Sequence, residues 1–128
     1  MLKLPSLGEI DRSVSAKIYF CVGPTDMRKG FDTLAALVRD VLRKDPLSGH
    51  LFLFISRRRD RLKILYWDTD GFWLWYKRLE AGTFRLPRTS PESASALLKP
   101  SELAMLLEGI DLRSVKRTRR MRIGPKKT

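Results

Sequence analysis

The chain has 128 residues, 43% of them hydrophobic, with 26 basic against 14 acidic side chains; this suits one domain with a modest core. The formal net charge of +12 favours a polyanionic partner such as DNA or RNA. A single cysteine, Cys21, excludes an internal disulfide, and the longest apolar run, at 51–55, is too short to span a bilayer; we therefore expect a cytoplasmic protein in a reducing compartment.

The first part of the chain predicts an arm, a strand and a helix. Residues 1–16 show little hydrophobic periodicity and are expected to form an N-terminal arm. β-branched and aromatic residues at 17–22 predict a strand that stops at a Gly-Pro pair. Apolar residues then recur at helical spacing within 27–44, which predicts an amphipathic helix. Thr25 or Asp26 is its expected N-cap.

The middle of the chain predicts three strands, at 50–55, 61–67 and 72–79. Asp70 and Gly71 form a dipeptide that favours a tight hairpin between the second and third of these strands. Because both connections are short, the three strands should pair in antiparallel fashion.

The C-terminal part predicts one further helix and a basic tail. Residues 83–88 suggest a short edge piece, 89–96 a linker, and 100–110 a helix. The tail at 112–128 holds eight basic and no acidic side chains and is expected to be flexible. We therefore predict a single α+β domain at 17–111, in which a small antiparallel β-sheet has one helix packed on a face and is followed by a second, C-terminal helix.

The two faces of the predicted sheet should differ, because alternate residues of a strand point to opposite sides. An apolar face that takes the first helix is expected from Leu62, Ile64, Tyr66, Phe72, Leu74 and Tyr76. A second face that mixes tryptophan with cations is expected from Arg61, Lys63, Leu65, Trp67, Trp73, Trp75 and Lys77. The mixed face suits base stacking beside phosphate contacts. The tryptophans also fit packing beneath the C-terminal helix, with Arg and Lys stems at the rim, and we favour this second interpretation.

No catalytic constellation is evident in the sequence. His50 and Cys21 are the only histidine and cysteine, so the usual zinc ligands are too few. The loop before the first helix lacks the spacing of a nucleotide-phosphate loop, although the N–H groups of the helix start could hold a DNA phosphate. The acidic candidates for a metal site are explained by turns or as counter-charges; they are Asp60, Asp68, Asp70 and Glu80. We predict no enzyme activity, no catalytic or metal-binding residue and no cofactor.

Candidate nucleic-acid contacts concentrate in two basic segments. Three consecutive arginines between predicted strands should form an exposed tip, since a tight loop cannot bury three guanidiniums without partners. The candidates in and after this loop are Arg57, Arg58, Arg59, Arg61, Lys63, Lys77 and Arg78. The candidates in the tail are Lys116, Arg117, Arg119, Arg120 and Arg122.

Several long blocks, spanning residues 17–112, resemble the TnpB accessory proteins of the insertion-sequence-66 class of bacterial transposons, which are unrelated to the RNA-guided nuclease that shares the name. The blocks read GPTDMRKGFDTLAALV, DPLSGHLFLF, RRRDRLKILYWDTDGFWLWYKRLEAGTF and ELAMLLEGIDL. The resemblance implies a role in transposition beside a separate transposase that cleaves and joins DNA. It supplies no catalytic residues.

Charge and resemblance together predict a non-catalytic, nucleoid-associated accessory protein that binds DNA mostly through phosphates. Its expected partners are DNA, the transposase and other proteins encoded by the element. One alternative is a protein–protein adaptor for the transposase, anchored by Trp73, Trp75 or Phe72. Another is an RNA-binding module whose aromatic residues stack on unpaired bases.

Overall fold

A computed structural model describes residues 16–108, which form one five-stranded sheet and two helices. The strands are β1 (Ile18–Cys21), β2 (Leu51–Ile55), β3 (Arg61–Asp68), β4 (Gly71–Arg78) and β5 (Ser95–Leu98), and the helices are α1 (Phe31–Asp40) and α2 (Pro100–Leu107). The sheet order is β4-β3-β2-β1-β5. The predicted α+β class and the antiparallel pairing of β2, β3 and β4 are confirmed.

One pair of strands is parallel. β1 runs beside β2 in the same direction, and α1 forms the crossover that a parallel pair requires. The carboxyl ends of β1 and β2 therefore lie at the same end of the sheet. There the Thr25 N–H donates a hydrogen bond of 2.8 Å to the Ile55 carbonyl, which joins the β1–α1 loop to the end of β2.

Each helix covers one face of the sheet. The cluster under α1 consists of Cys21, Leu34, Ala35, Val38, Leu42, Phe52, Phe54 and Leu65. The cluster under α2 consists of Ile18, Phe20, Leu51, Leu53, Ile55, Leu62, Ile64, Phe84, Leu98, Leu103 and Leu106. All five residues of β2 are buried because this central strand is covered on both sides.

The predicted grouping of the sheet faces is wrong. Asp68 lies opposite Gly71 across a two-residue turn, and this register places Tyr66 opposite Trp73 and Ile64 opposite Trp75. Residues that lie opposite each other in an antiparallel pair share a face. Because the turn pairs even with odd positions, Trp73 and Trp75 lie on the α2 face. The first helix packs on the other face, against Leu65 and its neighbours.

Two segments near the C-terminus also differ from expectation. Part of the predicted linker at 89–96 belongs to β5, which pairs with β1 in antiparallel fashion. The predicted edge piece at 83–88 is not a strand, although Phe84 within it is only 1% exposed and belongs to the core. Both outcomes depend on contacts with distant parts of the chain.

Helix α1 begins later than its apolar pattern suggests. Gly30 is the N-cap and provides no side-chain hydrogen bond. The expected caps have other roles: Thr25 is buried, and the carboxylate of Asp26 accepts a hydrogen bond of 2.9 Å from the Arg28 N–H. Residues 25–30 therefore form a loop rather than the first turn of the helix. Neither helix in the 16–108 range is long and apolar enough to cross a membrane.

Candidate nucleic-acid interface

The arginine turn occupies residues 56–61, between β2 and β3. The Arg59 N–H donates to the Ser56 carbonyl at 2.9 Å, and the Ser56 N–H donates to the Arg61 carbonyl at 3.0 Å. These two bonds close the turn and leave the side chains of Arg57, Arg58 and Arg59 exposed.

Arg59 has an unusual backbone conformation. Its φ of 64° lies in the left-handed region, which L-residues other than glycine visit at a cost of roughly 1–2 kcal/mol. The Arg59 carbonyl accepts a hydrogen bond of 2.7 Å from the Phe84 N–H, which ties the turn to a buried residue of the core. The chain thus holds an arginine where glycine would fit the backbone better, and such outliers motivate a search for function.

A groove lies between the arginine turn and the β1–α1 loop, because the parallel pairing of β1 and β2 brings both segments to one end of the sheet. The groove has a volume of about 510 Å³ and is lined by Thr25, Asp26, Met27, Arg28, Ser56, Arg57, Arg58, Asp60 and Arg61. It brings together three of the predicted arginines. It also contains Arg28, which is not among the predicted contacts because nothing in the sequence indicates that its loop approaches the turn.

The charges in the groove are unequally matched. Asp26 is bound by Arg28, with Nη2–Oδ2 at 2.7 Å, and these hydrogen bonds hold the pKa of the Asp26 carboxyl well below its usual range. Asp60 accepts a hydrogen bond of 3.2 Å from the Ser56 hydroxyl. The arginines that the turn contributes to the groove form no ion pair with any residue in the 16–108 range; they are Arg57, Arg58 and Arg61.

A second concentration of positive charge adjoins the groove. Arg61 lies directly opposite Arg78 in the β3–β4 ladder, and like charges in this arrangement destabilise a sheet. Glu80 offsets part of this repulsion through an ion pair of 3.1 Å with Arg78. A bound anion would relieve the remainder.

The two predicted lysines of the sheet are engaged by backbone carbonyls. Lys63 is only 8% exposed, and its Nζ donates to the carbonyls of Met27 and Lys29, both at 2.8 Å. Lys77 Nζ donates at 2.5 Å to the carbonyl of Leu107, at the end of α2, where a cation is favourable. The structure thus separates these lysines, which secure a loop and a helix, from the arginines at the end of the sheet.

The three tryptophans are half-buried. They are neither a fully exposed stacking surface nor fully buried core residues. Trp67 lies on the α1 face in edge-to-face contact with Phe72, with ring centroids 5.0 Å apart. Trp73 Nε1 donates to the Asp68 carboxylate at 3.4 Å, and Trp75 packs against the α2-side cluster. The expected face that combines all three tryptophans with cations is therefore divided between the two sides of the sheet.

Groups with reactive side chains are dispersed in the described part of the chain. Within it, no three His, Cys, Asp or Glu side chains lie close enough together to hold a metal ion. Burial raises the pKa of the Cys21 thiol and lowers that of His50, whose Nδ1 accepts a hydrogen bond of 2.9 Å from the Lys17 N–H. The predicted contacts of the tail lie outside the described residues; these are Lys116, Arg117, Arg119, Arg120 and Arg122.

Comparison with known proteins places the chain in a family. Two uncharacterized proteins of Sinorhizobium fredii are similar to the chain: y4hO is 40% identical over 104 residues, which cover 81% of this chain and 89% of the relative. The second, y4jC, is 39% identical over 109 residues, which cover 84% and 91%. No solved structure matches. Residues 16–117 match the family described as IS66 Orf2-like proteins, and the chain belongs to this family.

Proposed function

We propose that the protein binds DNA, mainly through phosphate contacts, in the transposition-associated accessory role that its family indicates. The observation that carries this proposal is the arginine turn, where Arg57, Arg58 and Arg59 are exposed at the same end of the sheet as Arg28. Arginine suits this role because its planar guanidinium matches the oxygens of a phosphate. Phosphate contacts position a protein but carry no sequence information, so we expect weak sequence preference.

The basic tail extends the same proposal. Its eight cations at 112–128 add sequence-independent attraction to a polyanion. The transposase of the element and its other encoded proteins are the proposed protein partners, and binding to DNA would keep the protein at the nucleoid.

The test is a titration of the whole protein against duplex DNA, single-stranded DNA and RNA at several salt concentrations. Each neutralised phosphate should add about 0.9 to the log–log salt slope for duplex DNA. Contacts from Arg57, Arg58 and Arg59 alone therefore predict a slope of about −2.7. Undetectable duplex binding at low salt would remove the proposal, and clearly tighter binding to RNA would favour the RNA-binding alternative.

We further propose that the role is non-catalytic. The acidic candidates Asp60 and Asp68 each have a local hydrogen-bonding role, with Ser56 and with Trp73. Pure protein incubated with supercoiled plasmid and Mg²⁺ should leave the plasmid intact. Nicking that disappears in Asp60→Ala or Asp68→Ala would show that the protein is an enzyme.

A specific observation supports the adaptor alternative. β4 is an edge strand of eight residues, none of them buried, and it carries half-buried Phe72 and Trp73 beside Tyr76, which is 50% exposed. An exposed apolar edge can accept another strand. If β4 binds the transposase, Tyr76→Ala should weaken that complex in calorimetry and leave DNA affinity unchanged. If Tyr76→Ala leaves the complex with the transposase unchanged, and substitution of the arginine turn abolishes DNA binding, the adaptor alternative is rejected.

A further inference from the structure

We infer that the groove between the β1–α1 loop and the arginine turn binds a phosphodiester group of a nucleic-acid strand, and that Arg28 is one of its contacts. The inference rests on the proposed function and deepens it, because it assigns a defined site and adds a residue from another part of the chain. A volume of about 510 Å³ lies within the range of roughly 300–1,000 Å³ that is common for ligand sites.

Both walls of the groove are held in place by the fold. The Thr25 N–H bonds to the Ile55 carbonyl at 2.8 Å, and Lys63 Nζ bonds to the carbonyls of Met27 and Lys29. The opposite wall is closed by the two backbone bonds of the turn that link Ser56, Arg59 and Arg61. The backbone that carries the guanidiniums is therefore ordered before a ligand arrives, which reduces the entropy lost on binding.

The groove carries more positive than negative charge, and its carboxylates are engaged. Four guanidiniums face two carboxylates, one bound by Arg28 and the other hydrogen-bonded by Ser56. A phosphodiester has one negative charge and two unesterified oxygens that guanidinium forks can bind together. Such an anion would offset the repulsion among Arg57, Arg58 and Arg61 without requiring burial of an unpaired charge.

The ion pair between Asp26 and Arg28 sets the availability of this site. The side chain of Arg28 is 91% exposed, and exposed ion pairs contribute little to stability. A phosphate can therefore compete with Asp26 for the guanidinium. Removal of the Asp26 charge should leave Arg28 available and strengthen binding.

The experiment compares the ion pair in the groove with a second exposed ion pair of the same protein, which serves as the control. Arg39 and Asp40 form an equivalent exposed pair at 3.3 Å, at the other end of α1 from the groove. Salt titrations against duplex DNA would compare Arg28→Ala with Arg39→Ala and Asp26→Asn with Asp40→Asn. The two variants in each comparison change the net charge of the protein by the same amount, so they differ only in the position of the substitution.

Arg28→Ala should weaken binding by roughly eightfold at about 0.1 M salt and make the slope shallower by about 0.9, because one phosphate contact is lost. Asp26→Asn should strengthen binding, and the variants of Arg39 and Asp40 should change affinity much less. Circular dichroism melts would confirm folding, and Arg58→Ala provides a second variant from the opposite wall with the same expected loss.

The outcomes separate the two proposals. Wild-type protein that binds DNA while the Arg28 and Arg39 variants behave alike would overturn the groove and leave the proposed function standing. Wild-type protein that does not bind DNA would overturn both. Inorganic phosphate should displace DNA no better than chloride of matched ionic strength; displacement at micromolar phosphate would identify a site for the free ion and reject a nucleic-acid contact.

Discussion

The strained backbone of Arg59 predicts that one substitution has opposite effects on stability and on DNA binding. Its left-handed backbone suits glycine, so Arg59→Gly should raise the free energy of unfolding by about 0.5–1 kcal/mol through relief of strain. The same change should weaken DNA binding, because a guanidinium is lost from the turn. Urea melts and salt titrations measure the two effects.

Arg58 provides the control for this substitution, since its φ is not in the left-handed region. Arg58→Gly should lower stability slightly, because glycine adds conformational entropy to the unfolded chain. If Arg59→Gly is the less stable of the two variants, the side chain of Arg59 stabilises the turn and the strain has no functional meaning.

His50 should make stability depend on pH. Burial, followed by the positive charges of Lys17 and Lys44, lowers its pKa from the ordinary value of 6.5, and the acceptor at Nδ1 must be unprotonated to bind the Lys17 N–H. The unfolded chain therefore binds the proton more readily than the folded protein. The contribution of neutral His50 to folding stability is fully present above pH 6.5. It is lost as the pH falls through the lower pKa that His50 has in the folded state.

Urea melts between about pH 7.5 and pH 5.5 would measure this loss of stability, because this range includes the ordinary pKa of histidine. The variant His50→Asn retains an acceptor but does not titrate, so its stability should vary less over the same range. Parallel profiles for the two proteins would show that another group is responsible.

At the scale of elements, Lys63 connects β3 to the loop before α1. Its buried ammonium satisfies two carbonyls, and Lys63→Met should leave them without a donor. We expect the free energy of unfolding to fall by about 1–3 kcal/mol. A variant as stable as wild type, with a salt slope shallower by about 0.9, would instead identify Lys63 as a phosphate contact, as predicted from the sequence.

Phe84 contributes more to the core than the larger Trp67. Phe84 lies in a loop but is 1% exposed, so Phe84→Ala should lower the free energy of unfolding by about 3–5 kcal/mol. Trp67→Ala should lower it by only about 1–2 kcal/mol, because this ring is half-buried and its main aromatic contact is Phe72. Urea melts would rank the variants, and a larger loss for Trp67→Ala would contradict the structure.

At the scale of the whole molecule, the residues that stabilise the fold and the exposed arginines lie in different places. The two core clusters lie on the faces of the sheet, and the arginine turn lies at its end. Replacement of Arg57, Arg58 and Arg59 by alanine should therefore change stability by no more than about 0.5 kcal/mol per site. DNA affinity should fall equally for all sequences, with a shallower salt slope.

Melts and titrations of this triple variant test whether the two properties are separate. Unfolding of the variant would show that the arginines are structural. A folded variant with unchanged affinity and slope would move the DNA contacts to other predicted residues, such as those of the tail at 112–128.

The sequence by itself determined the features that depend on local pattern. The short connections specified the antiparallel strands β2, β3 and β4, since neighbouring strands joined by tight turns have few other ways to pair. The turn before β4 consists of Thr69 and Asp70 rather than of the predicted Asp70-Gly71 dipeptide. Helical spacing of apolar residues specified the first helix but not its start, and Pro100, which favours a helix start, begins α2. The blocks that resemble accessory proteins of this transposon class led to the family that the comparison shows.

Only the tertiary structure decided which distant segments meet. Ile18 pairs with Leu51 on one side and with Leu98 on the other. Backbone hydrogen bonds between strands do not depend on particular side chains, so the sequence does not reveal which strands pair. The parity of the hairpin register decided which face each tryptophan occupies, because a shift of one residue exchanges the two faces. The approach of Arg28 to the arginine turn follows from the parallel pairing of β1 and β2, so the groove exists only once the sheet has formed.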